Sequence, residues 1–181
     1  MRTVKIQIGS RSLGEQKTWA YPSGRSLGTF RTPIYDSFVS GIYDTGASVR
    51  QGFKCLRFGV QCLDSRTAAV VGLADQQTNV IKAWIPTYIV HSANSSENGA
   101  WQVYDNFLIH DGPDNSTELF ATIGCIEIMG LNGFVKFNDL LISLSGSIAR
   151  DRNEKLLEIG RSGKLSITYE RAVRPALKKH P

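Results

Sequence analysis

The sequence predicts a mainly β domain, with one helix after its third cysteine and a short helical segment near the carboxyl end. Three observations support this fold class. Short runs rich in β-branched and aromatic residues follow one another from residue 53 onward. One later segment instead has apolar residues at helical spacing. The 181 residues are 41% hydrophobic and 20% charged, so residues 1–181 are predicted to form a single domain with one core.

The first fifty residues are rich in Gly, Ser, Thr and Arg. "TVKIQIG" alternates polar and apolar residues as a half-buried strand does. The following segment, "SLGTFRTPIYDSFVSGIYDTGASV", is interrupted at Pro33, Gly41 and Gly46. We therefore expect residues 1–50 to be a loop-rich part with short strands, ordered mainly by what it packs against.

Six further runs are predicted to be strands, because most are bounded by Gly, Asn, Asp or Ser and all are rich in strand-forming residues. The polar stretch at 92–100 is predicted to join two neighbouring antiparallel strands. The six runs are "FKCLRFGVQCL", "TAAVVGLA", "VIKAWIPTYIVH", "WQVYDNFLIH", "FATIGCIEIM" and "KLSITYE".

Two segments are predicted to be helical. In "GFVKFNDLLISLSG", apolar residues recur at spacings of three and four from Phe134 to Leu144, which makes one apolar stripe, and Gly146 is a plausible stop. The charged stretch "RDRNEKLLEIG" is predicted to be a second short helix, capped by Gly160.

Charge is concentrated at the carboxyl end. Residues 150–181 hold nine Lys and Arg against four acidic residues, a net of +5, whereas the remaining residues balance at twelve against twelve. The preferred interpretation is that residues 171–181 form a solvated, partly frayed basic tail; the alternative is a binding surface for an anionic polymer. No apolar run is long enough to span a membrane and no secretory signal is recognisable, so synthesis in the cytoplasm is expected.

The chain has three cysteines, an odd number. Strand alternation would place Cys55 and Cys62 on opposite faces, which argues against a disulfide unless a bulge or turn at Gly59 changes the parity. Cys125 is left over and is a candidate reactive thiol. There is neither a CxxC pair nor a His/Cys cluster at zinc spacing, so no metal and no cofactor is expected.

His110 and Cys125 are the candidate catalytic pair. A cysteine attacks as the thiolate, and a neighbouring imidazole can take its proton. Their two predicted strands are joined by one loop and should be neighbours. Gly124 would leave room for a substrate, Asp111 could orient the imidazole or cap a turn, and Thr122 would share the face of Cys125 in a regular strand. The alternative is a core strand with an inert thiol.

The segment 107–146 resembles the catalytic domain of the L,D-transpeptidase (YkuD-type) family. That family has a short His-Gly turn, then Ser/Thr-x-Gly-Cys-Ile/Val-Arg, then a helix. The counterparts here are "IHDG" at 109–112, "TIGCIE" at 122–127 and the helix predicted at 133–146. The sequence departs from the pattern at Ile123, where the family has a polar residue, and at Glu127, where it has Arg. The histidine turn also carries an extra residue.

The resemblance implies a sandwich-like or barrel-like β fold, Cys125 as nucleophile and His110 as base. It implies a thioester intermediate on peptidoglycan stem peptides, which an amine or water resolves. Gly112 and Glu127 become candidate substrate-binding residues, and His91, at the end of another predicted strand, is a supporting one.

A family member of this size without an export signal is similar to antibacterial effectors delivered by type VI secretion, or to phage lysis and tail proteins. Such an enzyme acts in the periplasm or cell wall of a target cell. An immunity protein would then be a partner, and the enzyme is expected to be a monomer. No nucleic acid is expected as a partner, because the basic end offers only Tyr169 as an aromatic residue.

Two other functions remain open from the sequence. One is a non-catalytic β-domain that binds an anionic polymer through its basic carboxyl end. The other is a cysteine hydrolase of a different amide substrate. A nucleophilic Cys125 predicts that a thiol reagent labels it ahead of Cys55 and Cys62.

Overall fold

The structure, a computed structural model, describes residues 1–22, 24–90 and 97–181. It confirms the mainly β class, with 49% of residues in strands and 13% in helices. The strands are β1 (Val4–Tyr21), β2 (Gly24–Ile42), β3 (Ser48–Leu56), β4 (Phe58–Cys62), β5 (Ala68–Gly72), β6 (Gln77–Val80), β7 (Ala83–Ile85), β8 (Ala100–Tyr104), β9 (Phe107–Asp111), β10 (Phe120–Ala121), β11 (Ile126–Ile128), β12 (Leu165–Tyr169) and β13 (Lys178–Lys179). The helices are α1 (Gly133–Ser145) and α2 (Arg152–Arg161).

The first strands, β1 and β2, form a long antiparallel hairpin, so the prediction of a loop-rich amino-terminal part is wrong. The pairing register shifts between Ile8 and Ser12 and again between Ser12 and Gly14. These irregularities interrupt the period of two that marks a strand in sequence. Pro33 lies between the part of β2 that pairs with β3, from Ile34 onward, and the part that pairs with β13. A proline at that position interrupts neither of those two ladders.

The described strands belong to one mixed sheet that branches at β1. Its main path is β5-β4-β1-β2-β3-β11-β9-β8-β7. The first part of β1 pairs in parallel with β12, which in turn pairs with β6. The last part of β1 pairs in parallel with β4 and β10. The strands on either side of the polar stretch 92–100, β7 and β8, are antiparallel neighbours as predicted, and residues 91–96 lie outside the described residues.

Three of the predicted strands are each divided in two. "WQVYDNFLIH" contains a hairpin, because the chain turns at Asp105, whose φ is 47°, between β8 and β9. "FKCLRFGVQCL" breaks at Arg57, between β3 and β4. "FATIGCIEIM" contributes β10 and β11, with an irregular segment at 122–125 between them. This last break determines how the cysteine is presented.

Arg57 is fully buried at the break between β3 and β4. Its guanidinium donates hydrogen bonds to the carbonyl oxygens of Gly9, Leu73, Ala74 and Glu170, at 2.6 to 3.3 Å. These carbonyls satisfy much of the donor capacity of the buried cation, which would otherwise be costly to desolvate. The side chain thereby joins β1 to the ends of β5 and β12.

Helix α1 confirms the predicted apolar stripe. Five of its apolar side chains are buried, and they pack in one core with strand residues such as Ile126 and Ile128. Gly146 ends the helix in the left-handed conformation, with φ 69°. The buried stripe consists of Phe134, Phe137, Leu140, Leu141 and Leu144.

Helix α2 is also confirmed, but the prediction that Gly160 caps it is wrong. Gly160 lies inside the helix, and a Cβ there would come within 2.6 Å of the backbone nitrogen of Trp84. The residue therefore allows α2 to approach β7 closely. The helix begins at Asp151, whose side chain accepts a hydrogen bond from the Glu154 amide.

The basic carboxyl end is docked on the sheet, so the expectation of a frayed tail is also wrong. Ala172 donates its amide to the carbonyl of Ala74, and Arg174 binds the carbonyls of Val70 and Gly72 at 3.0 and 2.9 Å. Residues 178–179 form β13 on the edge of β2, where Lys178 pairs with Glu15. Part of the positive charge is thus used in internal contacts. Within the described part of the chain, neither helix is long and apolar enough to cross a membrane.

Candidate active site

The site is built on β9 and β11, which are parallel neighbours. Their register places Ile109 beside Ile126 and His110 beside Glu127. Ile109, Ile126 and Ile128 belong to the core that includes α1. Because side chains alternate across a strand, His110 and Glu127 point to the other face of the sheet. The prediction that the His110 segment and the Cys125 segment are spatial neighbours is therefore confirmed.

His110 is oriented by a backbone carbonyl. The ring is 5% exposed, and its Nδ1 lies 2.7 Å from the carbonyl oxygen of Asp111. A carbonyl oxygen can only accept, so this hydrogen bond places the proton of the neutral ring on Nδ1 and leaves the lone pair on Nε2. The Tyr88 ring lies beside the imidazole, with centroids 5.2 Å apart. His110 thus has the tautomer that a general base at Nε2 requires.

Asp111 therefore orients the imidazole through its main-chain carbonyl. It is the last residue of β9, paired with Ile128 and 1% exposed, and it does not lie in a turn. The amide of Gly112 continues the same pairing by donating to the carbonyl of Ile128 at 2.9 Å. The turn that was expected directly after the histidine begins further along, at 114–118.

Cys125 lies immediately before β11, 7% exposed. Its thiol donates a weak hydrogen bond to the carbonyl of Asn106, with Sγ and O 3.9 Å apart. Burial raises the pKa of the Cys125 thiol to about 11; the Leu108 backbone lowers it, and Glu127 raises it further. Asn106 directly precedes β9, whereas His110 is the fourth residue of that strand. The contact with Asn106 therefore directs the thiol toward the start of β9, away from His110 near its end.

The side chain of Glu127 is fully buried, and neither of its carboxyl oxygens has a hydrogen-bond partner within the described residues. Its Oε1 lies 3.9 Å from Nε2 of His110. Burial raises the pKa of Glu127 well above its usual range; the nearby Thr122 side chain opposes this and Asp111 adds to it. Burial thus favours the neutral form of this carboxyl group.

Thr122 does not share a regular strand with Cys125, because the chain between β10 and β11 is irregular. Its hydroxyl accepts a hydrogen bond from the Gly124 amide at 3.3 Å, and its carbonyl accepts one from the Val60 amide at 3.1 Å. Thr122 thus fastens the 122–125 segment to β4, and its side chain affects Glu127 but makes no described hydrogen bond to either member of the catalytic pair.

The two site glycines serve close packing. Gly124 has φ 94°, a left-handed value that favours glycine, and a Cβ there would lie 2.7 Å from the Cα of Gly72. The space expected for a substrate at Gly124 is thus occupied by β5. A Cβ at Gly112 would lie 2.9 Å from the Cβ of Glu127, so Gly112 leaves room for that side chain rather than for a substrate.

The structure places six of the eight candidate residues on β9 and β11 or next to these strands, and it adds Asn106 to the site. Asn106, the thiol's acceptor, was missed because "WQVYDNFLIH" was interpreted as one strand, although its Asp-Asn pair is a turn signal. Thr122 lies in the irregular segment between β10 and β11. His91 lies outside the described residues. The six residues are His110, Asp111, Gly112, Gly124, Cys125 and Glu127.

All three cysteines are free thiols, which answers the open question about Cys55 and Cys62. Among residues 1–22, 24–90 and 97–181, no group of three His, Cys, Asp or Glu side chains is placed to hold a metal ion. Comparison of the chain with known protein families, with curated proteins and with solved structures finds no match. The chemistry must therefore be inferred from the residues of the site itself.

Proposed function

We propose that the protein is a cysteine-dependent enzyme that modifies peptidoglycan, of the L,D-transpeptidase type, with Cys125 as nucleophile and His110 as base. One observation carries the proposal: the Asp111 carbonyl fixes the proton of His110 on Nδ1, so that the lone pair of Nε2 faces β11, the strand that directly follows Cys125. The motif similarity of residues 107–146 supports stem peptides as the substrate class. It also supports a sandwich-like or barrel-like β fold of the L,D-transpeptidase type.

The reaction would begin with rotation of the Cys125 side chain away from Asn106. Its Sγ–H proton passes to Nε2 of His110, and the electron pair left on sulfur attacks a carbonyl carbon of the stem peptide. The bond to the leaving amine breaks as His110 returns the proton to that amine, and a thioester remains. Water or a second amine then attacks the thioester and restores the thiol. Because the resting pKa of the thiol is about 11, deprotonation accompanies attack and does not precede it.

In the proposed biological setting, the enzyme is an antibacterial effector that acts in the periplasm or cell wall of a target cell. Its partners would be stem peptides and an immunity protein. The docked carboxyl end supports the enzyme over the polymer-binding alternative, since Arg174 and Lys178 are engaged within the protein.

Incubating wild type and Cys125→Ala with isolated muropeptides, and weighing the products by mass spectrometry, tests the proposal. Wild type should release the terminal residue of the stem peptide or exchange it for an amine, and Cys125→Ala should do neither. Cys62→Ala is the matched control and should keep wild-type activity, because Cys62 lies at the end of β4. Equal products from wild type and Cys125→Ala would refute the proposal.

A second candidate is a cysteine hydrolase of another amide. Two observations favour it: Glu127, at the position of the family's Arg, is buried, and Ile123, at a polar position of the family, is 43% exposed. This candidate becomes the better one if purified cell-wall sacculi give an unchanged fragment pattern while Cys125 still forms a covalent adduct with an activated ester.

A further inference from the structure

Glu127 lies in a row of side chains across three strands. The register places Leu56 of β3 on one side of it and His110 of β9 on the other. Leu56 packs with Ile34 and Met129 in a small apolar cluster. One cross-strand neighbour of the carboxyl group is therefore aliphatic, and the other is the imidazole.

The carboxyl group is costly to bury in this way. A buried polar group without a hydrogen bond destabilises a protein, and an ionised one does so more strongly. Both oxygens lack a hydrogen-bond partner among the described residues, and Oε1 is 3.9 Å from Nε2 of His110. A movement of about 1 Å would bring these two atoms into hydrogen-bond distance. A donor appears on Nε2 only after His110 takes up a proton.

We propose that Glu127 is a positioning residue for His110: its carboxyl group accepts the Nε2–H hydrogen bond of the imidazolium that forms when Cys125 gives up its proton. The inference rests on the proposed function, since it assigns Glu127 a part in the same proton transfer. It replaces the substrate-binding role expected from the sequence, because a fully buried carboxyl group does not reach the solvent from which a substrate enters.

The charge of Glu127 is consistent with this role. Among the described residues, the titratable groups around it are His110 and Asp111 from β9, Cys125 from its own segment, and Tyr88. The pKa of Tyr88 is raised by burial and then by Cys125 and Glu127. A permanently ionised carboxylate would stabilise the imidazolium and leave no free base. Burial opposes that ionisation, and the carbonyl oxygen of a neutral carboxyl group is still an acceptor once His110 has taken the proton.

Two variants separate the effect of the acceptor oxygen of Glu127 from the effect of its charge. Glu127→Gln keeps the shape and an acceptor oxygen but does not ionise, whereas Glu127→Leu removes the acceptor at similar volume. Glu154→Gln, on the exposed side of α2, is the control. The readouts are kcat and KM on muropeptides, and the pH dependence of Cys125 alkylation by iodoacetamide. Thermal unfolding establishes that each variant is folded.

We expect Glu127→Gln to keep kcat within about threefold of wild type at pH 7, and Glu127→Leu to lose about 10- to 100-fold with little change in KM. In Glu127→Gln, Cys125 alkylation should reach its plateau at a lower pH, since Glu127 raises the thiol pKa. A Glu127→Leu enzyme as active as wild type overturns the inference, as does a change confined to KM.

The alkylation readout separates this inference from the proposed function. If wild type makes no muropeptide product, the proposed function fails, but alkylation still reports whether Glu127 is coupled to the thiol. Identical alkylation profiles in wild type, Glu127→Gln and Glu127→Leu overturn the inference even if muropeptides are turned over. The Glu154→Gln profile should coincide with that of wild type.

Discussion

The rate at which iodoacetamide modifies Cys125 should rise about tenfold with each pH unit between pH 7 and pH 10, because only the thiolate reacts. Burial places the pKa of this thiol at about 11, compared with 9.0 for an ordinary cysteine. At pH 8, a pKa of about 11 leaves roughly one hundredth of the thiolate of an ordinary cysteine, a difference of about 2.7 kcal/mol. No plateau should be seen below pH 10.

The assay follows all three cysteines in one sample, by quenching at intervals and measuring each tryptic peptide by mass. Cys62 is the internal reference because its side chain is half-buried. Cys55 should be slowest, since it is fully buried and burial raises its pKa to about 12. Because the resting thiol of Cys125 is buried, we expect the order Cys62, Cys125, Cys55 in place of the sequence-based prediction that Cys125 is labelled first. This order concerns the resting thiol and not its attack on a substrate, in which, in the proposed mechanism, His110 takes the proton. In denaturant, the three rates should converge.

A plateau for Cys125 at or below pH 8 would refute this reasoning. It would mean that a thiolate already exists in the resting protein, stabilised by a nearby cation, and that burial does not determine the pKa. The same outcome would require a direct contact between Cys125 and His110, in place of the contact with Asn106.

Two further predictions concern stability, measured by urea unfolding with tryptophan fluorescence. Gly59→Ala should lower the free energy of unfolding by about 3 kcal/mol, because its Cβ would overlap the Thr122 carbonyl. Gly133→Ala is the control: a Cβ there has no neighbour closer than 3.8 Å, so this free energy should change by less than about 1 kcal/mol. Arg57→Met should cost about 3–5 kcal/mol, because it removes the guanidinium donor from four carbonyls, of which only that of Ala74 keeps a second described donor, the Ala172 amide. Arg25→Met, at an exposed position, should stay within about 0.5 kcal/mol. Equal unfolding midpoints within either pair would contradict the packing described.

Helix α1 could be predicted from the sequence because its signal is local. Phe134, Phe137 and Leu141 recur at helical spacing, and Gly146 supplies the left-handed residue that ends the helix. The long β1–β2 hairpin could not be predicted in the same way. Between Ile8 and Gly14 the register shifts move side chains between faces, so the sequence there loses its alternation although the backbone pairing resumes.

For the site, the sequence predicted which strands meet but not how their side chains face one another. The association of the His110 and Cys125 segments follows from their connection by one loop. Glu127 lies beside His110 because the register of β9 and β11 pairs these two residues. A shift of one residue in this register would place the Glu127 side chain on the other face of the sheet. The acceptors Asn106 and Asp111 are main-chain carbonyls, which any residue type could supply.

The pairing of Val4 with Leu165 has a consequence for how the molecule comes to be assembled. During synthesis, the first part of β1 cannot pair with β12 until all the residues between these two strands have been made and β12 has left the ribosome. Contacts this distant in sequence slow folding, because a large loop must close before they form. A nascent chain arrested before residue 165 should therefore remain sensitive to protease in the first part of β1. Protection should appear once synthesis resumes and β12 leaves the ribosome.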